Sequence, residues 1–497
     1  MLPRVGLFGL VQLAGLIAGL VLQAVVAQRL GAADYGRFVT AQSVLLFGLV
    51  LLTSAVPNAL RRRVSIDSGS LHGAWRVLWL VQTPLAVGCA VVLLCLSVPI
   101  AAVFNDRALG PALAWVAFEL MIRGGVLEPA WLLLNGLARH ATQATLMIVY
   151  SGLRLVCVAG ILQWSTGLVE AMTGLVAAAA SAAMLTLLAL YALKKATPLA
   201  EQGAFAPELW QWVRLAPAAE ILTYLAVTAN LWIAKAILPD AESAGVYAAC
   251  YTLAHVALLF GIVLSRSCFS SFARAVSVSA HGEQEEARRL LRQAMRWLVL
   301  AAGLGAAVAV PHGEDILQLI YGPRFAMPGT LLTVLGLGMA GMAAVWFLAD
   351  MLAAAGQLRT KLWAGACTFV ISLSAAPALT RVFGVWGAAW ALLVTGAIGS
   401  ALVALVLQRV VSGFVPWPTL VRAAFAAGAV VLLGRVSAHF LGMPSAPVGI
   451  SAAGAGYCLF VAVMGEPVTA DPRWRLGHRV AAYVSIRSAT PGAESHE

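Results

Sequence analysis

Charged side chains are scarce in this chain. Asp, Glu, Lys and Arg make up 11% of its 497 residues, whereas hydrophobic residues make up 61%. Soluble globular domains carry about 25% charged residues, so this balance excludes a water-soluble fold and predicts that lipid surrounds most of the chain. The net charge of +11 does not indicate a nucleic-acid partner, because Lys and Arg stand between apolar runs rather than along polar faces.

The sequence also lacks the patterns of nucleotide chemistry and of metal or disulfide sites. Its seven cysteines lie in or beside apolar runs without CxxC spacing, which argues against disulfides and zinc. A GxxxxGK[ST] loop is missing, so we expect no nucleotide and no ATP hydrolysis. The largest external loop, about 311–328, is too short for a catalytic domain. We therefore expect no catalytic residues, no metal and no cofactor, and a protein that is not an enzyme.

Long apolar runs are what the sequence has in abundance. A helix needs about 20 apolar residues to cross the hydrocarbon core, and roughly fourteen such runs follow one another here. The second is predicted at 39–60 and the ninth at 297–312. These runs predict an all-α polytopic membrane protein of about 14 transmembrane helices.

The positive charges alternate in number from one loop to the next. With the N-terminus inside, the cytoplasmic segments hold 23 Lys and Arg residues, and the external loops hold five. Because Lys and Arg are retained on the cytoplasmic side, both termini are predicted to be cytoplasmic. We expect a multi-pass protein of the bacterial inner membrane.

Two stretches of the first half recur in the second half. "RLGAADYGRFVTAQS" matches "ILPDAESAGVYAACYTL" and pairs Gly36 with Gly245, while "LLLNGLARHATQA" matches "LAAAGQLRTKLWA" and pairs Gly136 with Gly356. Transporters are often built from such duplications, and here both copies begin on the same side. The predicted divisions are two pseudo-symmetric six-helix bundles at 1–195 and 205–410, helices 13 and 14 within 411–465, and a cytoplasmic tail at 466–497.

The ordered motifs "QRLGAADYGRF", "AGVYAA", "LIYGPRFAMPGTLLTVLGLG", "LAAAGQLRTK" and "FGVWGAAWALL" carry a family resemblance. The chain resembles the Wzx-type flippases of the multidrug/oligosaccharidyl-lipid/polysaccharide (MOP) exporter superfamily over about residues 1–410. The resemblance implies a MOP/MATE-like fold with two lobes facing a central cavity. It also implies alternating access that moves an undecaprenyl-diphosphate-linked oligosaccharide to the periplasmic leaflet for surface or exopolysaccharide biosynthesis.

Several charges fall inside predicted spans, where each costs about 2.5 to 3.5 kcal/mol and should face a cavity or a partner. Arg offers a planar fork matched to phosphate oxygens, so Arg123 and Arg154 are candidates to bind the diphosphate in the cavity. The alternative for Arg123 is a self-neutralising pair with Glu119, one helical turn away. Arg154 has no acid one turn away. A cytoplasmic entrance, or simply a stop-transfer anchor, is predicted at Arg61, Arg62 and Arg63.

Acidic residues in the spans raise the question of the driving force. Glu119, Glu220 and Asp350 could couple transport to protons, because a carboxylate in low dielectric binds its proton more tightly. An inside-negative potential already favours outward movement of an anionic headgroup, by roughly 2.3 kcal/mol per charge per 100 mV. Proton coupling is therefore possible but not required.

The expected partners are a polyprenyl-diphosphate-linked glycan, membrane lipids and polysaccharide polymerase or export proteins. Three other functions compare with the flippase: a drug or cation antiporter of the same superfamily, a non-transporting scaffold, and a membrane glycan polymerase or ligase. An antiporter of this superfamily would require a carboxylate near the middle of the first span, and the polar residues of that span are only Gln12 and Gln23. The external loops are too short for the enzyme, and unpaired charges within the membrane argue against the scaffold.

Overall fold

The chain folds into helices throughout the part that its computed structural model describes, which is residues 2–66, 71–137, 139–196, 207–278, 285–325, 327–441 and 446–464. Two π-helical turns, Leu78–Gln82 and Arg123–Leu127, join neighbouring helices, and one 3₁₀ turn covers Pro323–Phe325. The α-helices are α1 (Leu2–Thr53), α2 (Val56–Ile66), α3 (Leu71–Val77), α4 (Thr83–Val103), α5 (Leu109–Ile122), α6 (Glu128–Gly136), α7 (His140–Trp164), α8 (Leu168–Ala196), α9 (Pro207–Ile237), α10 (Ala241–Val278), α11 (Glu285–Tyr321), α12 (Gly329–Ala354), α13 (Leu358–Gln408), α14 (Trp417–Leu441) and α15 (Ala446–Val463).

Eleven helical segments of the described residues are long and apolar enough to cross a membrane. Two of them are too long to cross once: α1 has 52 residues, or about 78 Å at 1.5 Å per residue. It breaks at Gly31, whose φ of 78° is favourable only for glycine, and α13 breaks in the same way at Gly384. The Tyr35 hydroxyl donates to Gln23 Oε1 at 3.0 Å although twelve residues separate them, so the chain reverses at Gly31.

Fourteen spans result when α1 and α13 count twice and the 18-residue α15 is added. The predicted number of transmembrane helices is therefore confirmed. In chain order, spans 1 and 2 are the halves of α1, span 3 is α3–α4, span 4 is α5–α6, spans 5 to 10 are α7 to α12, spans 11 and 12 are the halves of α13, and spans 13 and 14 are α14 and α15.

The spans form two six-helix lobes, and the last two spans lie outside them. In the N-lobe (spans 1–6) α7 packs against α8 and α4 against α5, while in the C-lobe (spans 7–12) α13 packs against α9 and α12. The lobes meet mainly where α1 contacts α10 and α9, and α14 and α15 pack against α11. We call the end of the bundle that holds Gly31 and Gly384 the Gly31 side, and the opposite end, with Gly136 and Gly356, the Gly136 side.

Spans 2 and 8 touch at the two glycines that the sequence repeat pairs. A Cβ atom added to Gly36 would lie 2.7 Å from the Cα of Gly245, and one added to Gly245 would overlap the backbone of Ala32. Equivalent positions of a two-fold repeat contact each other only near the symmetry axis. The pseudo-two-fold axis of the protein therefore passes close to this glycine contact.

Two details of the predicted spans were wrong. Span 2 was predicted to begin at 39, but its helix resumes directly after Gly31, and Tyr35 is fully buried against Tyr321 and Phe325, with ring centroids 5.4 and 5.7 Å away. The external loop predicted at about 311–328 is shorter, because α11 continues through Pro311 to Tyr321. The cause is the same in both places: polar or turn-forming residues stay helical where aromatic packing across the lobes holds them. The predicted tail at 466–497 lies outside the described residues.

The glycine contact predicts a stability effect. In Gly245→Ala the new methyl group would push span 8 away from span 2, and overpacking of this kind costs about 1 to 3 kcal/mol. We expect a lower melting temperature of the purified protein in detergent. The matched control is Gly428→Ala in α14, where an added Cβ meets no atom within 4 Å and better helix propensity adds up to about 1 kcal/mol. Equal melting temperatures for the two variants would contradict the close contact.

Candidate functional site

The predicted intramembrane charges fall into two separate clusters, one in each lobe. Both clusters combine cationic and carboxylate side chains from different spans. The N-lobe cluster consists of Gln42, Glu119, Arg123, Glu128, Tyr150 and Arg154. The C-lobe cluster consists of Glu220, Ser265, Asp350 and Lys361.

Arg123 is the centre of the N-lobe cluster. Its Nη1 lies 3.4 Å from Glu119 Oε1, and its Nη2 lies 2.8 Å from Glu128 Oε1. Glu119 is 1% exposed, and its second carboxylate oxygen accepts a hydrogen bond of 3.2 Å from the Gln42 amide of span 2. The intrahelical pair of Arg123 with Glu119 is therefore present, and a second glutamate, Glu128, also pairs with Arg123.

The contact between Arg123 and Glu128 depends on a π-helical turn. In an α-helix, residues three or four apart face each other, and residues five apart do not. The π-helical turn Arg123–Leu127 has i to i+5 hydrogen bonding, which places Arg123 and Glu128 one above the other. Gly124 and Gly125 sit inside this turn and allow Leu52 and Ala86 to pack closely on it.

Tyr150 connects the two candidate arginines. The guanidinium carbons of Arg123 and Arg154 each lie 5.6 Å from the centroid of its ring, within the range of a cation–π contact. Among the residues that the structure describes, Arg154 forms no ion pair. The two glutamates of the cluster contact Arg123 instead. The Nε atoms of both arginines and the Tyr150 hydroxyl are buried without a hydrogen-bond partner. The cluster therefore contains three buried polar groups whose hydrogen bonds are not satisfied by the described residues.

The arginine triplet does not belong to this cluster. It lies in α2, on the Gly136 side, and the Arg61 side chain is exposed. The side chains of Arg62 and Arg63 lie outside the described residues. An entrance role for the triplet stays a prediction.

The C-lobe cluster is built around a lysine. Lys361 Nζ lies 2.5 Å from Glu220 Oε1 and 2.7 Å from Asp350 Oδ1, and its side chain is only 5% exposed. Asp350 also accepts a hydrogen bond from the hydroxyl of Ser265. Glu220 and Asp350 are thus brought together, and Glu119 is in the other lobe. Glu220, Asp350 and Lys361 together carry a formal charge of −1, and the guanidinium of Arg266, next to Ser265, adds an electrostatic interaction with Glu220.

Lys361 was missed by sequence reasoning. It stands directly after a loop, a position typical of a cytoplasmic loop charge. In the structure, span 11 begins at Leu358 and carries Lys361 inward to the two acids. A usable signal existed: Glu220 and Asp350 each required a cation, and Lys361 is, with Arg359, one of the two cations that follow Asp350 most closely along the chain.

A third charged group closes the Gly31 side between the lobes. Asp106 Oδ2 lies 2.8 Å from Arg37 Nε of the N-lobe and 2.8 Å from Lys235 Nζ of the C-lobe. Burial would raise the pKa of Asp106, but hydrogen bonds from Arg37 and Lys235 outweigh it and hold the pKa below its ordinary value. Arg37 also pairs with Asp34 at 2.6 Å.

Three hydrogen bonds between the lobes reinforce this closure. The Gln28 amide donates to the carbonyl of Ile320 at 2.9 Å, and the Asn105 amide donates to the carbonyl of Ala236 at 3.2 Å. Deeper along span 2, the hydroxyl of Ser43 accepts a hydrogen bond of 2.7 Å from the indole of Trp232. All three bonds join the N-lobe to the C-lobe, so the lobes are in contact from the Gly31 side inward.

Lys361→Ala is expected to destabilise the protein strongly. It leaves two carboxylates in a buried cluster without their cation, and removing one partner of a buried pair costs about 3 to 5 kcal/mol. The control is Arg359→Ala, an exposed cation two residues earlier, for which we expect a change within about 0.5 kcal/mol. Thermal unfolding in detergent measures both. A Lys361→Ala protein as stable as the control would show that the cluster is not held by the lysine.

The contact through Asp106 is expected to survive mild acidification. Because the pKa of Asp106 is lowered, its carboxyl stays ionised throughout the pH range in which an ordinary carboxyl takes up its proton. Its ion pairs are lost only as the pH falls further, through the lowered pKa. Spin labels at positions 107 and 240, on exposed residues of the two lobes, should report the same distance at pH 7 and pH 5. Asp106→Asn, which removes the charge, should lengthen it at both. A distance that changes between pH 7 and pH 5 in the parent but not in Asp106→Asn would contradict the assignment.

Comparisons with known proteins identify the fold. In sequence, the chain matches no protein-family model and no curated protein. In structure, it is similar to "Lipid II flippase MurJ, inward closed conformation", with a TM-score of 0.66, 12% identity, and coverage of 92% of this chain and 98% of that one.

MATE structures are similar as well. An inward-facing multidrug resistance MATE family transporter of the MOP superfamily gives a TM-score of 0.59 at 13% identity, covering 79% of this chain and 95% of the other. The Vibrio cholerae MATE transporter VcmN in its bent form gives 0.58 at 14% identity, covering 82% and 96%. At these identities the likeness concerns architecture, and the protein has the fold shared by the MurJ and MATE structures.

Proposed function

We propose that this protein is a MOP-superfamily flippase that moves a polyprenyl-diphosphate-linked oligosaccharide across the bacterial inner membrane by alternating access. The cargo class is the repeat unit of a surface polysaccharide or exopolysaccharide, of which xanthan is one. The likeness to a structure described as a lipid flippase supports this proposal at the level of the fold. The observation that carries it further is the unpaired Arg154.

Arg154 is the cation in the N-lobe cluster that is free to bind a ligand. It is partly exposed, it lies on the face of the Tyr150 ring, and its Nε has no hydrogen-bond partner. A diphosphate presents several anionic oxygens, and a guanidinium can bind two of them side by side. Arg154 would therefore make the first contact with the headgroup.

Arg123 has a different role in this proposal. Its two glutamate partners already neutralise it, so it contributes a guanidinium that is held in place beside the Tyr150 ring. A bound diphosphate would draw on its remaining Nε donor and on the Tyr150 hydroxyl. The site would thus combine one cation without an acidic partner and one neutralised cation, both in contact with the same aromatic ring.

The closed Gly31 side supports a direction of access. If that side is periplasmic, as the charge count predicts, the lobes are closed towards the periplasm and the cargo enters from the Gly136 side. The membrane potential then favours outward movement of the anionic headgroup by roughly 2.3 kcal/mol per charge per 100 mV. No catalytic step is needed, and polysaccharide polymerase or export proteins would receive the product.

One observation favours a second candidate, a drug or cation antiporter. The C-lobe cluster carries two carboxylates for one ammonium, and a cationic substrate or coupling ion could replace the lysine there. MATE transporters are among the similar structures. In that case Glu220 and Asp350, rather than Arg154, would hold the substrate.

Arg154→Ala tests the proposed function. We expect binding of an undecaprenyl-diphosphate-linked oligosaccharide to the purified protein, measured by native mass spectrometry, to weaken about 10- to 100-fold, because a charged hydrogen bond is worth about 1.5 to 3 kcal/mol. Flipping in proteoliposomes should fall in parallel. Arg154→Lys, which keeps the charge but not the planar fork, should be intermediate.

The control is Arg381→Ala, an exposed cation on the Gly31 side, which should bind and transport like the parent. Full transport by Arg154→Ala would remove Arg154 from the site. Parent protein that exchanges cations across the bilayer, loses this exchange in Glu220→Gln and fails to bind the lipid-linked glycan would replace the flippase by the antiporter.

A further inference from the structure

A groove of about 600 Å³ lies on the outer surface of the N-lobe. Spans 3 and 6 both pack against span 4 but leave a gap between them, and Met121, Ile122 and Val126 of span 4 form its floor. The walls are open to the surroundings: Leu188 is 60% exposed and Trp79 is 39% exposed. Because spans 3 and 6 are membrane-spanning segments, this opening faces the bilayer.

The groove is lined by apolar side chains. The polar exceptions are the Thr83 hydroxyl, the Tyr191 hydroxyl and the indole N–H groups of Trp75 and Trp79, and no charged residue lines it. Its volume is within the range of ligand-binding pockets, about 300 to 1,000 Å³. A hydrocarbon chain is the ligand that this lining fits.

Cations lie at one end of the groove. Lys194 Nζ is 5.2 Å from the centroid of the Trp75 ring, which is itself part of the wall, and Arg76 follows Trp75 in the chain with its side chain exposed. Within the described part of the chain neither cation forms an ion pair. Basic residues between transmembrane helices at the membrane surface bind anionic headgroups. The groove therefore combines an apolar channel with an anion-binding end on the Gly136 side.

We propose that this groove binds an anionic phospholipid of the surrounding membrane, with an acyl chain between spans 3 and 6 and its phosphate at Lys194. This site is distinct from the N-lobe cluster, and the inference does not rest on the proposed function. The two are connected by the floor, since Val126 belongs to the π-helical turn that aligns Arg123 with Glu128. A bound acyl chain would pack against this turn and stabilise it.

Lipid binding to the full-length protein tests the inference. The probes are phosphatidylglycerol and phosphatidylcholine with identical acyl chains, titrated into the purified protein and followed by native mass spectrometry. We expect phosphatidylglycerol to bind more tightly. Lys194→Ala should lower this preference about fivefold, since one lysine near the membrane surface contributes about 1 kcal/mol. The matched control is Arg409→Ala, an exposed cation on the same side of the C-lobe.

A second pair of variants tests the acyl-chain channel. Ala180→Trp places a large side chain in the groove from an exposed position and should weaken the binding of both lipids. Ala177→Trp, also exposed on α8 but outside the groove, should not. Equal affinity for the two lipids, or equal effects within either pair of variants, would overturn the proposal. Displacement of phosphatidylglycerol by equimolar undecaprenyl phosphate would overturn it too, and would assign the groove to a prenyl chain.

Discussion

The pairing of ionised side chains away from water is the constraint on which this structure depends. Desolvating a single charge is costly, and the cost is recovered only when a partner and further hydrogen bonds are fixed in place. Arg123 meets this condition with two glutamates of its own span, Lys361 with acids from spans 7 and 10, and Asp106 with a cation from each lobe. The ion pairs of Arg123 stay within span 4, which reaches spans 2 and 5 through Gln42 and Tyr150, whereas those of Lys361 join three spans of the C-lobe and those of Asp106 join the two lobes.

Much of the fold could be predicted because lipid imposes simple rules. Hydrophobic length gave the number of spans, and the recurrence of glycines gave the two lobes and even the pair of residues at their contact. The details that failed depend on contacts across the structure. A π-helical turn leaves no mark in the spacing of apolar residues, so the partnership of Arg123 with Glu128 could not be predicted. Lys361 was misplaced because a lysine after a loop looks the same whether it faces water or turns inward.

The two lobes share a frame but differ in their chemistry. The N-lobe cluster includes a cation, Arg154, that has no acidic partner among the described residues, whereas the C-lobe cluster has two carboxylates for one ammonium. Span 4 and its counterpart, span 10, both contribute charged residues, yet the residues themselves do not correspond at the offset of the repeat. Duplication thus supplied equivalent spans, and each lobe carries its charges at different positions of these spans and in a different balance. That difference is why the proposed flippase relies on the arginines for an anionic cargo, whereas the antiporter alternative would rely on the acids.

The contact between Gly36 and Gly245 lies close to one face of the membrane, so a small rotation of the lobes at this contact produces a large displacement at their far ends. With a hydrocarbon core of about 30 Å, a rotation of about 10° at the glycines would separate the far ends of the lobes by roughly 5 Å. Opening the Gly136 side therefore needs little change at the contact itself. Opening the Gly31 side instead requires the backbones to part there, together with the ion pairs of Asp106. In the proposed transport cycle, opening the Gly31 side would therefore require the larger rearrangement of the two half-cycles.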